Sequence, residues 1–442
     1  MYLEPDFRLN NFDMDLTELA TQQSAPLAPL EVYEIEASSS HNHNGSHAEP
    51  EASPIAGNTF EKTQQLLASH QNLPNPTEKL STRPHLAYDR LQPIMLSKSL
   101  SSDDEETILA ALSSSCALLG QHQKAQQFVE EGLLEVFGTL ASPSSSFSST
   151  VRQLALRCIE KILTSPHVSR SSTLLTESVH SAIQSAMDNS TNAEFRSIAY
   201  SSLLHCSDAV ESVRAIVSLN LVSRLLHRLN EELIGYTSFS RGEELTNVIL
   251  QTLRKLFSQT SQTKSCDQAL ERLDTISIFF DCVTINHVTD ETKALALGCL
   301  SCLAGEVDGK TAIIKEGDNA LSILLSSCRS SSASVCAGAA GTLCGILVHD
   351  DGKRALLSSS DWPALVELVN LKNSSSILLP ACTALGAFSA HPTGRALLLE
   401  RLPHGRGESA KERLEKILDT HKEGPVFKAA SRALATIVWV PV

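Results

Sequence analysis

Apolar residues recur at helical spacing from about Ile108 to the carboxyl end of the chain, and the pattern repeats. Three segments align, beginning at Lys293 (KALALGCLSCLAGEVDGKTAI), Val335 (VCAGAAGTLCGILVHDDGKRAL) and Leu378 (LLPACTALGAFSAHPTGRAL). Each contains a helix of small residues, a polar turn with a glycine, and a further apolar run. The equivalent glycines are 43 and 42 residues apart, a period that is typical of helical solenoids. They are Gly309, Gly352 and Gly394.

Looser copies of the unit surround these three segments, which brings the total to about eight. The copies begin at Ile108, Val151, Phe195, Leu245 and Val426. A single unit cannot bury its own apolar face, so stacked neighbours must share a continuous core. The pattern therefore predicts an all-α, right-handed superhelical solenoid over residues 86–442, with no sheet.

A second apolar stretch follows the glycine turn in each unit and is predicted to form the longer helix, as in GLLEVFGTL, LNLVSRLLHRL, NALSILLSSC and WPALVELVN. Serine-rich turns such as SPSSSFSS and RSSSAS come before the small-residue helices. Serine at such a place caps the free N–H groups of a helix, and phosphorylation is the functional alternative. The Gly-Lys and Gly-Arg turns are predicted to hold their glycine at positive φ after a helix end.

The amino-terminal residues 1–85 are rich in Ser, Asn, His, Pro and Glu, which predicts a disordered tail. Residues 1–60 contain ten acidic side chains and one basic one, so most of the chain's formal charge of −14 lies there. In the segment FDMDLTELA, the side chains of Phe12, Leu16 and Leu19 fall on one helical face. The segment is either a chance amphipathic pattern or a short helix that docks in a partner's groove.

The overall composition argues against several classes of protein. Aromatic residues make up only 5% of the chain, which disfavours a β-sandwich or a propeller. No apolar run reaches the roughly 18 residues of a membrane span, and the amino terminus has no secretory pattern. Lys and Arg number 36 against 50 Asp and Glu, so the chain lacks the basic balance of a nucleic-acid binder. We expect neither a membrane nor a nucleic-acid partner.

The candidate chemistry is sparse. The eleven cysteines lie mostly in apolar runs and indicate a reducing, cytoplasmic type of compartment. Cys299 and Cys302 form a CxxC pair without the second pair that a structural zinc site needs, and His41, His43 and His47 belong to the predicted tail. No P-loop, HExxH or GxSxG motif occurs. We therefore expect no enzyme, and no catalytic residue, cofactor, metal site or small-molecule substrate.

The expected working surface of such a solenoid is its extended groove, lined by the last helix of each unit. In LVSRLLHRL the leucines face the core, so Arg224, His227 and Arg228 point outward. In WPALVELVN the outward polar residues are Glu367 and Asn370. These five residues are the candidate partner-binding positions; the alternative is that each belongs to an ordinary solvated face.

The unit pattern resembles the armadillo-repeat family over roughly residues 86–442. Within that family the chain is most similar to armadillo proteins of the axoneme. The similarity lies in AYDRLQPIMLSKSLSSDDEE, GAAGTLCGILVHDDGKRALLSSSDWPALVELV, LLPACTALGAFSAHPTGRALLLERLP and KAASRALATIVWVP. It implies a non-catalytic scaffold that binds other proteins, namely radial spoke subunits, in motile cilia or flagella. The long acidic tail and the insertion at residues 231–245 depart from the family pattern.

Other uses of an armadillo fold remain open. A cytoplasmic adaptor, a co-chaperone of an Hsp70 or a transport adaptor is compatible with the same sequence. Importin-like cargo readers place Trp and Asn at fixed offsets on successive groove helices. Only Trp362 and Trp439 occur here, which disfavours a nuclear import receptor.

Overall fold

The computed structural model describes residues 85–166, 168, 176–188, 192–235, 242–402 and 408–439. The predicted tail segment with Phe12, Leu16 and Leu19 lies outside these residues. Over the described ranges the chain forms 23 helices and no strand, which confirms the predicted all-α class. The solenoid discussed below is the compact unit that contains Pro93–Val442.

The helices follow one another without any other regular structure in the described part. The amino-terminal set is α1 (His85–Leu100), α2 (Glu105–Leu118), α3 (His122–Glu130), α4 (Leu133–Ala141), α5 (Ser149–Leu163), α6 (Glu177–Met187), α7 (Ala193–Cys206), α8 (Val210–Ser218), α9 (Leu221–Gly235), α10 (Gly242–Ser258), α11 (Thr260–Thr263) and α12 (Ser265–Leu270). The carboxyl-terminal set is α13 (Thr275–Thr284), α14 (Asp290–Leu303), α15 (Val307–Lys315), α16 (Asp318–Ser327), α17 (Ala333–Ile346), α18 (Asp350–Ser358), α19 (Pro363–Glu367), α20 (Ser375–Ser389), α21 (Pro392–Leu399), α22 (Ala410–Thr420) and α23 (Gly424–Val438).

Eight helices form one continuous stack, here called the ladder. Each ladder helix packs against the next, and successive ladder helices begin 42 to 49 residues apart. They include the small-residue segments from which the repeat is recognised in the sequence. The ladder consists of α2, α5, α7, α10, α14, α17, α20 and α23.

The helix directly before each later ladder helix is here called a second helix. The second helices are α4, α6, α9, α13, α16, α19 and α22. Several of them also pack on one another, as α4 does on α6 and α13 on α16. Ladder and second helices enclose one core that continues from unit to unit, so that a stack of weak units becomes stable. Together these features confirm the predicted solenoid.

The predicted order of helix lengths holds for α9, whose 15 residues exceed the 14 of α7, and is wrong for α4, α16 and α19. The ladder helices contain 14 to 17 residues, whereas the stretch WPALVELVN gives only the five-residue α19. Side-chain donors from outside α19 bond to the carbonyl oxygens at and just after its carboxyl end. Arg413 donates to the carbonyl oxygens of Glu367 at 3.4 Å and Val369 at 3.3 Å. Asn373 donates to the carbonyl oxygen of Leu368 at 2.7 Å.

The predicted positive φ at the repeated glycines is also wrong. Gly309, Gly352 and Gly394 lie in the first turn of α15, α18 and α21, and positive φ among the described glycines is found at other positions. Each of the three fits closely under the end of the preceding ladder helix. A Cβ atom on Gly394 would lie 2.6 Å from the carbonyl oxygen of Phe388. Glycine is needed here because two helix ends meet backbone to backbone.

Capping explains part of the serine content. Ser148 is the N-cap of α5, and its hydroxyl accepts a hydrogen bond from the backbone N–H of Val151 at 3.4 Å. Ser332 and Ser374 occupy the same position before α17 and α20 without a side-chain cap bond. The predicted capping role is therefore confirmed for Ser148. The other two serines occupy the N-cap position, but their hydroxyl groups do not cap the helix.

Candidate binding surface

The five predicted groove residues do not lie on the ladder. Arg224, His227 and Arg228 belong to the second helix α9. Glu367 is the last residue of the second helix α19, and Asn370 follows it in the next turn. The structure thus places the five residues in two separate groups on the second-helix layer, one on α9 and one at the end of α19.

Arg224 joins two neighbouring units. Its Nη1 atom lies 2.9 Å from Oδ2 of Asp188, the residue that caps the carboxyl end of α6. A cation at a helix carboxyl terminus interacts favourably with the helix dipole. The predicted outward orientation of Arg224 is correct, and its guanidinium is occupied by a contact within the chain.

Arg228 and His227 share the acidic end of α9. Arg228 is only 24% exposed, and its Nη1 lies 2.7 Å from Oε2 of Glu231. A second ion pair joins Arg228 to Glu232, which is itself only 14% exposed. His227 is exposed, with Nε2 at 3.4 Å from Oε1 of Glu231. Arg228 therefore acts within the fold of α9, and His227 is the accessible member of this group.

Glu367 belongs to a second contact between units. Arg329, which follows α16, pairs with Oδ1 of Asp361 at 3.0 Å and with Oε2 of Glu367 at 3.4 Å. Asn370 is exposed, and its Oδ1 accepts a hydrogen bond from the backbone N–H of Lys372 at 3.1 Å. The ionic residues of the second-helix layer thus connect successive units.

The ladder itself has a repeated polar contact that helical periodicity does not reveal. The Sγ atom of Cys158 donates to the carbonyl oxygen of Leu112 at 3.7 Å. Thr342 makes the equivalent bond to the carbonyl oxygen of Leu297 at 3.3 Å. Each donor lies near the middle of one ladder helix and each acceptor belongs to the ladder helix before it. Cys299 makes a third such bond, at 3.5 Å, to the preceding ladder helix.

In the amino-terminal units, long cationic side chains bridge successive ladder helices. Lys161 of α5 donates to the carbonyl oxygen of Cys116, near the end of α2, at 2.8 Å. Lys255 of α10 donates to the carbonyl oxygen of Leu204, near the end of α7, at 3.4 Å, and also pairs with Asp208. Ammonium groups thus satisfy carbonyl oxygens at the ends of ladder helices.

In the carboxyl-terminal units, small residues allow successive ladder helices to pack closely. A Cβ atom on Gly338 would lie 2.7 Å from Cβ of Leu297, and one on Gly345 would lie 2.6 Å from both Cβ and the carbonyl oxygen of Ala304. Helices α14 and α17 therefore approach so closely that larger side chains do not fit between them.

Arg254 lies at the junction of these two kinds of contact. It belongs to α10, and a Cβ atom on Gly298 of α14 would lie 2.8 Å from Cδ of Arg254. Its side chain is half-buried. Unlike the neighbouring Lys255, Arg254 forms no ion pair with a carboxylate of the described residues. Arg254 is thus a cation on the ladder that the sequence analysis did not identify. Its side chain lies over Gly298 of the next ladder helix, and the sequence alone does not show that these two residues are neighbours.

The CxxC pair belongs to the core. Cys299 is fully buried, and burial raises the pKa of its thiol. Burial also raises the pKa of Cys302 to about 11, against the opposing effect of the Arg254 cation. In the described ranges no group of three or more His, Cys, Asp or Glu side chains is arranged to hold a metal ion. The helices of this part of the chain also include none with the length and apolarity to cross a membrane.

Comparison with known proteins bears on the fold. No protein-family model matches the chain, and no curated protein matches it. Two solved engineered proteins align with 78% and 57% of the chain and with 98% and 96% of their own lengths, at 18% and 19% identity and a TM-score of 0.46 each.

A third solved structure concerns a phosphorylation switch in the interaction between cadherin and beta-catenin. Its matching chain aligns with 79% of this chain at 17% identity and a TM-score of 0.57. The alignment spans 61% of that longer chain. This likeness, together with the ladder and its second helices, shows an armadillo-like helical repeat fold.

Proposed function

We propose that the protein is a non-catalytic scaffold that binds other proteins along its ladder. The observation that carries this proposal is the unbroken succession of eight ladder helices. Repeat solenoids offer extended surfaces of this kind to their partners. The second-helix residues take a structural role in this proposal: Arg224 and Glu367 pair with residues of neighbouring units, and Arg228 pairs within its own helix α9.

The partner segment we propose is extended and carries a carboxylate that pairs with Arg254. The ladder floor next to Arg254 is made of small residues, among them Gly298 and Ser301. The aliphatic stem of Arg254 covers Gly298, so a partner segment would meet the guanidinium at the end of that stem. A guanidinium suits a carboxylate because its planar fork can donate two parallel hydrogen bonds.

We further propose that the scaffold belongs to the radial spokes of motile cilia or flagella. This finer proposal is supported by the sequence resemblance to the radial spoke head 14 homolog, an axonemal armadillo protein. Its partners are then radial spoke subunits, and the protein is found in the axoneme. The tail residues Phe12, Leu16 and Leu19 are a second proposed contact with a partner, through an amphipathic helix.

The location is tested by extraction. Tagged full-length protein is expressed in ciliated cells, the membranes are removed with detergent, and the axonemes are separated from the soluble fraction. We expect the protein to remain with the axonemes and to be lost from axonemes that lack radial spokes. Recovery in the soluble fraction alone would favour the cytoplasmic adaptor or co-chaperone.

The ladder surface is tested by co-sedimentation of the purified chain with axonemes that lack it. Arg254→Met removes the charge and keeps the aliphatic stem over Gly298, so the packing is retained. Arg214→Met is the matched control, since Arg214 is an exposed arginine of α8, outside the ladder. We expect Arg254→Met to lower the bound fraction at least tenfold and Arg214→Met to leave it within twofold of wild type. Equal binding by both variants would remove this part of the ladder from the interface.

A further inference from the structure

Cys158 of α5 lies against the turn of α2 that ends at Cys116. Cys158 of α5 donates to the carbonyl oxygen of Leu112 at 3.7 Å, and Lys161 donates to the carbonyl oxygen of Cys116 at 2.8 Å. In an α-helix the N–H of residue 116 bonds to the carbonyl oxygen of residue 112. The two contacts from α5 therefore bracket the turn that ends at Cys116.

The two thiols differ in burial and in charge environment. Cys158 is fully buried, whereas Cys116 is half-buried. The neighbouring Cys158 thiol lowers the pKa of Cys116, and the cations Lys161 and Arg157 lower it further against desolvation and Glu160. The proximity of Cys116, together with burial, raises the pKa of Cys158. The pair thus consists of a stabilised thiolate next to a buried thiol.

This arrangement sets Cys116 apart from the other thiols of the chain. Burial raises the pKa of Cys344 to about 12 although Lys310 lies nearby, and it raises the pKa of Cys382 to about 12 as well. The remaining cysteines also have raised values, so Cys116 alone is shifted toward the thiolate. They are Cys158, Cys206, Cys266, Cys282, Cys299, Cys302, Cys328 and Cys336.

We propose that Cys116 and Cys158 are a peroxide-responsive dithiol whose oxidation links the first two ladder helices by a disulfide. The Cys116 thiolate attacks one oxygen of hydrogen peroxide, so that an S–O bond forms, the O–O bond breaks and hydroxide leaves with the electron pair. The Cys158 sulfur then attacks the sulfur of the Cys116 sulfenic acid. The hydroxyl leaves and takes the Cys158 proton as water. In total, two thiols and one peroxide give one disulfide and two waters.

Oxidation joins elements that are otherwise held by packing and by the Lys161 contact. The disulfide would fix α2 to α5 and close a loop through the whole first unit. A link of this kind stabilises a protein mainly by restricting its unfolded chain. The proposal does not depend on which partner the ladder binds.

Peptide mapping of the full-length protein tests the proposal. Reduced protein is treated with hydrogen peroxide, quenched with N-ethylmaleimide and digested with trypsin. Cys116 falls in the peptide of residues 99–124 and Cys158 in the peptide CIEK, and each peptide contains a single cysteine. We expect these two peptides to be recovered joined, with the loss of two hydrogens. Cys344→Ser is the matched control, and it should leave the joined peptide at the wild-type level.

Two single variants separate the steps. Cys158→Ser should abolish the joined peptide and increase dimedone labelling of Cys116, because the sulfenic acid then lacks its resolving thiol. Cys116→Ser should abolish both products. Thermal melting of each reduced variant shows that the fold is retained. Absence of the joined peptide in peroxide-treated wild type would overturn the proposal, as would unchanged dimedone labelling of Cys116 in Cys158→Ser.

The rate of alkylation provides an independent measurement at the same site. With limiting iodoacetamide at neutral pH, the folded protein should be labelled at Cys116 at least tenfold faster than at Cys344, since the thiolate is the nucleophile. Both residues are half-buried, so the comparison isolates ionisation from exposure. Equal rates at the two cysteines would contradict the proposal.

Discussion

The amino-terminal and carboxyl-terminal halves of the ladder solve the same packing problem in different ways. In α5, Lys161 lies three residues after the buried donor Cys158 and reaches a carbonyl oxygen of the preceding ladder helix. In α17, Gly345 lies three residues after the buried donor Thr342, and the helices meet there without a side chain between them. The same position of the repeat thus carries a long cation in α5 and no side chain in α17.

The two kinds of contact determine which changes each half of the ladder tolerates. A lysine that donates across a helix boundary is flexible, and its loss removes one charge-assisted hydrogen bond. A glycine against a neighbouring backbone leaves no room for adjustment, since close-packed interiors cannot deform continuously. We therefore expect the carboxyl-terminal half to be intolerant of added volume, and the amino-terminal half to depend more on charge.

Added volume in the carboxyl-terminal half should destabilise the protein most. Gly345→Leu forces α17 away from Ala304 and should cost about 3 kcal/mol of unfolding free energy, as overpacking does. Urea unfolding followed by circular dichroism measures the loss. Ser334→Leu adds the same side chain to an exposed position of α17 and should change stability by less than about 0.5 kcal/mol. If both variants unfold at the wild-type midpoint, α17 does not pack as closely as described.

Removal of a cation in the amino-terminal half should have the next largest effect. Lys161→Met keeps most of the side-chain volume and loses the bond to the carbonyl oxygen of Cys116, which should cost about 1.5 kcal/mol. Lys293→Met is the control in the other half, because the ammonium of this half-buried α14 residue donates to no carbonyl of the described residues. Thermal unfolding of both variants is compared. A larger loss for Lys293→Met would reverse the comparison.

Much of the fold was predictable from sequence because solenoid units repeat in sequence as well as in space. The 42- and 43-residue spacing of Gly309, Gly352 and Gly394 correctly indicates stacked helical units. Their backbone geometry was not predictable, since glycine serves equally for positive φ and for close approach. At Gly394 the reason for glycine is close approach, because the carbonyl oxygen of Phe388 leaves no room for a Cβ atom. This contact exists only in the folded chain.

The candidate site shows a sharper limit of sequence patterning. Helical periodicity correctly predicts that Arg224 and His227 point outward, but it does not predict which residues lie opposite them. The partner of Arg224 is Asp188, 36 residues earlier in the chain. Arg254 was missed for the related reason that its surroundings depend on Gly298 of the next ladder helix. Contacts between units fix both environments, and such contacts have no local signature.

A smaller effect, opposite in sign, should be seen where a glycine of the carboxyl-terminal half has space. A Cβ atom on Gly386 of α20 would lie 3.4 Å from Cα and 3.6 Å from Cβ of Ala433, which is ordinary van der Waals contact. Gly386→Ala should therefore stabilise the protein by about 0.5 to 1 kcal/mol, the usual preference for Ala in a helix interior. Gly345→Ala is the matched variant and should destabilise. Loss of stability in Gly386→Ala would place α20 and α23 closer than the structure has them.

The weakest change should be a pH dependence that arises at His205, in the amino-terminal half. His205 of α7 lies three residues after the buried Ser202, the same spacing as that between Thr342 and Gly345. Burial lowers the pKa of His205, and the Lys255 cation lowers it further against the opposing effect of Asp208. The unfolded chain keeps the ordinary histidine value of about 6.5. Between the two values the unfolded chain binds more protons, so stability falls as the pH is lowered.

The test compares melting temperatures at pH 7 and pH 5 for wild type and His205→Gln. The contribution of His205 is present above the unfolded value and is lost as the pH falls through the folded one. The drop in melting temperature should therefore be smaller for His205→Gln than for wild type, while the two should differ by a constant amount at higher pH. If the variant drops as far as wild type, acid sensitivity arises elsewhere in the solenoid. If it drops further, protonated His205 stabilises the ladder, and the environment deduced from Lys255 is wrong.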